Sequence, residues 1–568
     1  HIPTTVQGVL AARIDRLPVP QKGLLQTLAV IGTEFPSSLV RHVTGQPETA
    51  LHPLLVDLQA GDFIYERPAY PEVEYAFKHA LTQEVASNSL LSGQRSLLHE
   101  RTAQAIEALF PDRLKEYCNE LAHHYSQSGN VPKAVEYLQL AGKQALQRSA
   151  QLEAIGHLSA ALELLKTLPD TPERLQEELT LLLMLGPAWM AARGSGAPEV
   201  QVTYTRALAL SEQGEDMPQC FSAQLGLWSF YLLRAQLKTA QALGERLLSL
   251  GQDTQDPEQM AEAHRVLGST VFRLGEFTAA RSHMEQALEL HRPDRPSYGH
   301  LLRYVRNPAV HMRSTLSWIL WYLGLPDQSL ACSAEALAMA RQASDPFGLA
   351  LSLIFAAELH QRRGEPERTL EYANATLALS SEHGFPLYLA WATILRGWAL
   401  ARMGKDEEGI ALIQRGLRAH EATGAALGRP SLLGQLADAY GKAGRPEAGL
   451  RVLVDALALV GNTGERFDEA TLNRLQGELM LQLPREHPKA SAVVEAAKTC
   501  FLKSIALAQQ QEAMSVEIQA TLSLARLWHS QGESDAARQM LAKIHGAFTE
   551  GLDTVDSRHA KAFIQRLS

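Results

Sequence analysis

The chain has 568 residues, 46% hydrophobic and 20% charged, and only 6% aromatic. Such a length overfills one compact core, and an Ala/Leu-rich, aromatic-poor balance suits helices stacked in interchangeable layers. A formal net charge of −9 argues against a general nucleic-acid or anionic-membrane binder.

Four cysteines (Cys118, Cys220, Cys332, Cys500) are widely spaced and read as free thiols in a reducing, cytoplasmic compartment. No signal peptide opens the sequence, and no apolar run nears the ~20 residues of a membrane span. A chain opening at His1 in helical sequence is expected to continue a longer protein.

Residues 1–110 stand apart from the rest. TVQGVLAARIDRL begins a helix after Pro3 and Pro18 closes it; PQKGLLQTLAVIG forms a second, ended at Gly32. Phe35 leads into SSLVRHVTG, and PETALHPLLVDLQAG follows as another helix. DFIYER and VEYAF then alternate apolar and polar residues across a Pro-containing turn, as a hairpin does. Short helices followed by a hairpin predict a small winged-helix module, with 79–110 helical again and leading into the repeats. The helix before the wing (Pro47–Gly61) carries Glu48 and Asp57 but no Lys or Arg, which argues against reading DNA.

From Tyr117 onward the sequence repeats. In AEAHRVLGSTVFRLGEFTAARSHMEQALEL two amphipathic helices meet at Gly275, with Gly268 seven residues before it and Ala280 and Ala287 five and twelve after. The same offsets give Ala122, Ala134 and Ala141 around Gly129, and Ser317, Ser329 and Ala336 around Gly324. They give Ala357, Thr369 and Thr376 around Gly364, and Gly397, Gly409 and Gly416 around Gly404. Around Gly444 they give Ala437, Gly449 and Ala456; around Gly532 only Ile544 departs from small residues. Antiparallel helices pack closely only where side chains are nearly absent, so small residues recur where helices cross.

Turns are predicted near Gly129, Ala150, Gly194, Ala235, Gly275, Gly324, Gly364, Gly404, Gly444, Pro484 and Gly532, mostly about 40 residues apart. The predicted architecture is an all-α tetratricopeptide-repeat superhelical solenoid over 111–568, about ten helix pairs, preceded by the winged-helix module. The interval from Gly275 to Gly324 is about nine residues longer than the usual step. Its insertion, near 291–313, carries Arg292, Arg295, His300, Arg303, Arg306, His311 and Arg313, opposed only by Asp294. Such a segment fits an anion-binding patch for a phosphorylated ligand or acidic peptide; the plainer reading is a solvated loop pairing with acidic neighbours.

No phosphate-binding Gly-x4-Gly-Lys-Ser/Thr, HExxH or nucleophile-elbow pattern occurs, so no catalytic residues, metal ligands or cofactor are assigned. Cys118, His123 and His124 sit at helical offsets that spread them around the axis. The rings of Trp228, Phe272, Trp318, Trp321, Tyr322, Phe355, Trp391 and Trp398 fall on first helices of pairs and are expected mostly in the core. Trp318, Trp321 and Tyr322, just after the basic insertion, are the candidates for facing a concave groove.

IPTTVQGVLAARIDRLP with LLQTLAVIGTEF, then YAFKHALTQEVASNSLLSGQRSLLHERTAQAIE, and LARLWHSQGESDAARQML near the end, resemble the C-terminal half of bacterial signal-transduction ATPases of the STAND class. These place an ATPase, a winged helix and a tetratricopeptide sensor after a cyclase or kinase domain. The resemblance implies that the repeats bind a protein, peptide or small-molecule inducer in their groove and so release an upstream ATPase of the same polypeptide. YGHLLRYVRNPAVHMRS is more basic than that family's segment here. The alternatives are a passive protein-interaction scaffold and, less favoured, a DNA-binding regulator.

Overall fold

The structure is a computed structural model and describes residues 4–68, 72–214, 217–292, 308–484 and 490–567. The chain divides into two compact units, residues 1–181 and 182–568.

The first unit opens with α1 (Thr4–Asp15) and α2 (Val19–Ile31), a short strand β1 (Glu34–Pro36), then α3 (Ser37–Thr44) and α4 (Glu48–Ala60). The expected hairpin follows as β2 (Ile64–Arg67) and β3 (Glu74–Phe77), paired antiparallel with Ile64 opposite Phe77. β1 adds to the far side of β3, so the sheet runs β1-β3-β2, and Phe35 sits in a third strand instead of only leading into the next helix. Phe35, Tyr75 and Phe77 close this core beside Leu25, Leu28, Val40 and Leu58. Next come α5 (Ala80–Asn88), α6 (Ser92–Leu109), α7 (Cys118–Ser128), α8 (Val131–Gln147), α9 (Gln151–Leu165) and α10 (Pro172–Arg193), the last running through the division between units.

The second unit is a tetratricopeptide-type array of helix pairs. Its helices are α11 (Pro198–Gln213), α12 (Met217–Leu233), α13 (Leu237–Thr254), α14 (Pro257–Leu274), α15 (Phe277–Leu290), α16 (Pro308–Tyr322), α17 (Pro326–Gln342), α18 (Pro346–Arg362) and α19 (Pro366–His383). They continue with α20 (Pro386–Arg402), α21 (Asp406–Ala422), α22 (Arg429–Lys442), α23 (Pro446–Thr463), α24 (Glu469–Leu481), α25 (Ala490–Gln510), α26 (Met514–Ser530), α27 (Ser534–His545) and α28 (Val555–Arg566). Proline opens many of them, where its fixed φ suits the first turn and its missing N–H costs nothing. No helix among the described residues is long and apolar enough to cross a membrane.

First and second helices of a pair differ in the way their position demands. Second helices bury one stripe at 3.6-residue spacing: Phe277, Ala280, Met284 and Ala287 on α15, and Thr369, Ala373, Thr376 and Ser380 on α19. First helices such as α14, α16, α18 and α20 are buried nearly all round, because neighbours cover every face. The recurring small residues lie where partners cross. A Cβ on Gly397 would sit 2.6 Å from the Gly409 carbonyl oxygen, and one on Gly409 2.5 Å from that of Gly397. Ser317 and Ser329 meet at the equivalent place, Ser329 Oγ donating to the Ser317 carbonyl at 2.6 Å.

The array winds back on itself every five pairs. Leu233 O, at the end of α12, accepts from Ala426 N and Leu427 N (2.7 and 3.0 Å), just before α22. Arg273 O, near the end of α14, accepts from Arg466 N and Phe467 N (2.9 and 3.2 Å), just before α24. Trp321 O, near the end of α16, accepts from Ser515 Oγ at 2.5 Å, in the first turn of α26. Successive superhelical turns are therefore joined by polar contacts at the ends of first helices, each roughly 193 residues apart in sequence.

Candidate functional site

Within the second unit a cavity of about 1350 Å³ is walled by first helices α18, α20, α22, α24 and α26, with α25 and α28. Helical spacing puts Ser431, Gln435, Asp438 and Lys442 of α22 along one wall, and Thr471, Arg474 and Glu478 of α24 along the next. Side-chain hydrogen bonds link neighbouring first helices about one repeat apart. Trp398 Nε1 donates to Asp438 (2.8 Å), Ser523 Oγ to Glu478 (2.6 Å) and Gln519 Nε2 to Asp556 (2.6 Å). Trp228 with Thr270, and Trp318 with the Phe355 carbonyl, do the same further up the array at 2.9 Å.

At one end of the cavity lies a fully buried polar cluster. Arg362 donates to Asp468 at 2.9 Å and to Glu358 at 2.6 Å, and its guanidinium also meets the Tyr322 hydroxyl. Tyr322 donates to Asp468 at 2.8 Å, and Ser431 donates to the other carboxylate oxygen. A second guanidinium, Arg273, stands 3.6 Å from Glu465, whose two oxygens each accept from Gly428 N at 3.0 Å. Both arginines lie over the ring of Phe467, at 4.8 and 5.4 Å from its centroid, and both over Trp318.

Burial acts against every charge here, and the pairing decides the outcome. Burial would raise the Asp468 carboxyl, but the Arg362 guanidinium and the hydrogen bonds from Ser431 and Tyr322 outweigh it and hold it below the ordinary value. Glu358 goes the other way: burial pushes it up, only partly offset by Arg362 and Arg273. Burial also pushes Glu465 up, to about 7, despite Arg273 and the Gly428 N–H. On the facing wall, burial raises Asp556, partly offset by Gln519 and Arg474. Glu478 is held low: Arg474 and the Ser523 hydroxyl overcome its burial.

The residues singled out from sequence are distributed differently. Trp321 lines the cavity, whereas Trp318 and Tyr322 are fully buried behind it, stacked on Phe355 at 4.1 Å and on Phe277 at 4.4 Å. The placement of Trp318 and Tyr322 as groove-facing rings is thus corrected: the superhelical turn returning through Phe467 and Asp468 covers the side that a single turn would leave open. Of the basic insertion, Arg295, His300, Arg303 and Arg306 lie outside the described residues. Arg313 pairs with Glu335, while Arg292 N and His291 bond Glu258. His311 packs edge-on to Phe355. The cluster around Arg362 and Asp468 was not foreseen; its signal was charged and amide residues standing singly in otherwise apolar first helices. All four cysteines are free. No group of three or more metal-ligating side chains converges among the described residues.

A tetratricopeptide-repeat family profile matches residues 518–543, which fall on α26 and α27. An uncharacterized protein of Rhizobium meliloti (strain 1021) is 24% identical over 480 residues, covering 83% of this chain and 46% of that protein. The chain thus spans about half the length of the curated relative it matches. Among solved structures, a Rap protein complexed with competence and sporulation factor aligns at 13% identity over 69% of this chain and all of that one, with a TM-score of 0.46. The quorum sensor NprR of B. thuringiensis in its apo form aligns at 14% over 66% of this chain and 99% of that one, TM-score 0.39. A STAND protein with a tetratricopeptide repeat sensor from Pyrococcus horikoshii aligns at 13% over 97% of this chain and 66% of that one, TM-score 0.37. Likenesses this distant identify no ligand and no activity.

Proposed function

We propose that the chain is the ligand-sensing arm of a larger signalling protein: an occupant of the cavity changes how successive superhelical turns sit together, and an upstream ATPase reads the change. One observation carries the reading. Arg362 and Asp468 line the cavity, and the same two side chains join α18 to the segment before α24, three pairs on, the segment through which the returning turn also bonds Arg273 O of α14. Filling the cavity therefore acts directly on the contact that sets the winding of the array. The resemblance to STAND ATPases and a curated relative about twice as long support the larger protein. In this reading residues 1–110 are a winged-helix module, whose helix–strand–helix–helix–hairpin order fits, and residues 79–130 carry the signal onward.

A tethered occupant tests this without knowledge of the natural ligand. Thr471→Cys, in a Cys500→Ser background, places a thiol on the cavity wall for a bulky maleimide. Labelling should change hydrogen exchange at the amides of Arg466 and Phe467, which bond Arg273 O, and in residues 79–130. Changes confined to cavity-lining helices would make the array a passive scaffold.

A further inference from the structure

Gln435, in the middle of α22, lines the cavity with its whole carboxamide unpaired. The residue is 4% exposed, and neither its oxygen nor its nitrogen has a hydrogen-bond partner among the described residues. Burying both halves of an amide without partners costs free energy, so the group that completes this site offers a donor and an acceptor. The buried charges around it are taken. Asp438, on the same helix, accepts from Trp398 and Arg402; Asp468 accepts from Arg362, Tyr322 and Ser431, and Glu478 from Arg474 and Ser523. Lys442 and Arg526 also line the cavity, but both are exposed to solvent.

Beside Gln435 the wall turns apolar. Gly434 and Gly441 leave α22 bare on either side of it, and leucines of α24 fill the gaps. A Cβ on Gly434 would sit 2.7 Å from Leu472 Cδ2, and one on Gly441 2.5 Å from Leu479 Cδ2. Leu472, Leu475 and Leu479 belong to one hydrophobic cluster, and Phe501 of α25 and Leu527 of α26 to another; all of them line the cavity. Gln435 and Gly441 are about 9 Å apart along the helix axis.

From this we infer that the cavity takes an uncharged amphiphile: a primary amide or lactam head pairs with Gln435, and an aliphatic body lies along Leu475 and Leu479. The inference rests on the cavity being the sensing site. Such a head carries N–H and C=O on one edge, so it meets both halves of the carboxamide at once. A tertiary amide supplies no donor and leaves the Gln435 oxygen unpaired. A carboxylate loses the donor too, and brings a charge to a wall whose buried charges are already paired.

Calorimetric titration of the full chain tests this with octanamide, N,N-dimethyloctanamide, octanoate and acetamide. Octanamide should bind about tenfold tighter than the dimethyl amide or octanoate, which lack a donor. It should bind about a hundredfold tighter than acetamide, which lacks a body. Gln435→Leu, close in volume, should bring octanamide and its dimethyl form to equal affinity without abolishing either. Thr471→Trp, which fills the cavity, should block all four. Equal binding of octanamide and the dimethyl amide by the wild type overturns the inference, as does a preference that survives Gln435→Leu. Tighter binding of octanoate, binding indifferent to Thr471→Trp, or no binding at all also overturns it. The sensing reading is judged apart, by maleimide labelling of Thr471→Cys. If labelling still alters exchange at Arg466 and Phe467, the cavity senses another class of ligand; if it does not, both fall.

Discussion

The Arg362 guanidinium donates to the Asp468 carboxylate at 2.9 Å across 106 residues of chain, with both side chains buried. Arg362 closes α18, and Asp468 immediately precedes α24, three pairs on. Asp468→Asn takes away one of the two carboxylates that hold the buried Arg362 charge and leaves it with Glu358 alone, so it should destabilise the second unit by about 3 kcal/mol. All seven tryptophans lie beyond residue 181, so the urea midpoint of tryptophan fluorescence reports on that unit alone. Removing Arg362 as well should cost less than the two single changes added, because the charge left behind disappears. Additive losses would mean that the two groups do not depend on one another.

Close backbone approach makes a second prediction. At the α20–α21 crossing Gly397 and Gly409 face each other's carbonyl oxygens, and an added methyl on either would meet backbone at 2.5–2.6 Å. Gly397→Ala should therefore force the helices apart and cost about 1–3 kcal/mol. Gly364→Ala meets nothing within 4 Å and should cost only the strain of its left-handed φ of 72°, about 1 kcal/mol. Equal losses at the two sites, read by the same fluorescence midpoint, would show that crossing distance is not what the small residues protect.

These crossings were legible because the constraint at each is local: a turn glycine with small residues at fixed offsets on either side. Turns within pairs at Gly275, Gly324, Gly364, Gly404 and Gly444 stand where the sequence put them, each in the left-handed region. The turns between pairs were harder to see. Left-handed φ recurs every 20 residues, but several of the alternate positions are Gln255, Ser344 and Glu512, which carry no glycine signal. The cavity was less legible still. Its walls come from first helices whose charges stand singly, one repeat apart, and Tyr322 meets Asp468 only because the array returns after 146 residues. Periodicity announces a stripe, but not which later turn will cover it.

The first unit should be acid-sensitive through two histidines. His99 on α6 and His124 on α7 are buried with their Nδ1 atoms 2.9 Å apart, one donating and the other accepting. Burial, then the neighbouring histidine charges and, for His99, Arg95, lowers them to about 4 and about 3. A folded pKa below the unfolded value means that the stabilisation is whole above about 6.5 and is lost as pH falls toward 4, by about 1.4 kcal/mol per pH unit for each proton taken up on unfolding. Circular dichroism melts should show a transition without tryptophan change that drops steeply over this range. His99→Leu should flatten the drop. An unaltered slope would place the acid-sensitive group elsewhere.

Glu465 makes the opposite pH prediction for the second unit. Its burial between Arg273 and the Gly428 N–H leaves the carboxyl raised to about 7 from an ordinary value near 4.5. The folded state therefore prefers the protonated form, and the stability this confers is complete below about pH 4.5 and falls as pH rises through 7. The shift sets the loss on the order of 3 kcal/mol. Glutamine keeps an oxygen to accept from Gly428 N and cannot ionise. The tryptophan midpoint of the wild type should thus fall between pH 5 and 8, and that of Glu465→Gln should fall less, keeping only the share that the raised Glu358 and Asp556 carboxyls contribute. A variant that falls as the wild type does would mean that Arg273, 3.6 Å away, already holds the carboxylate charged.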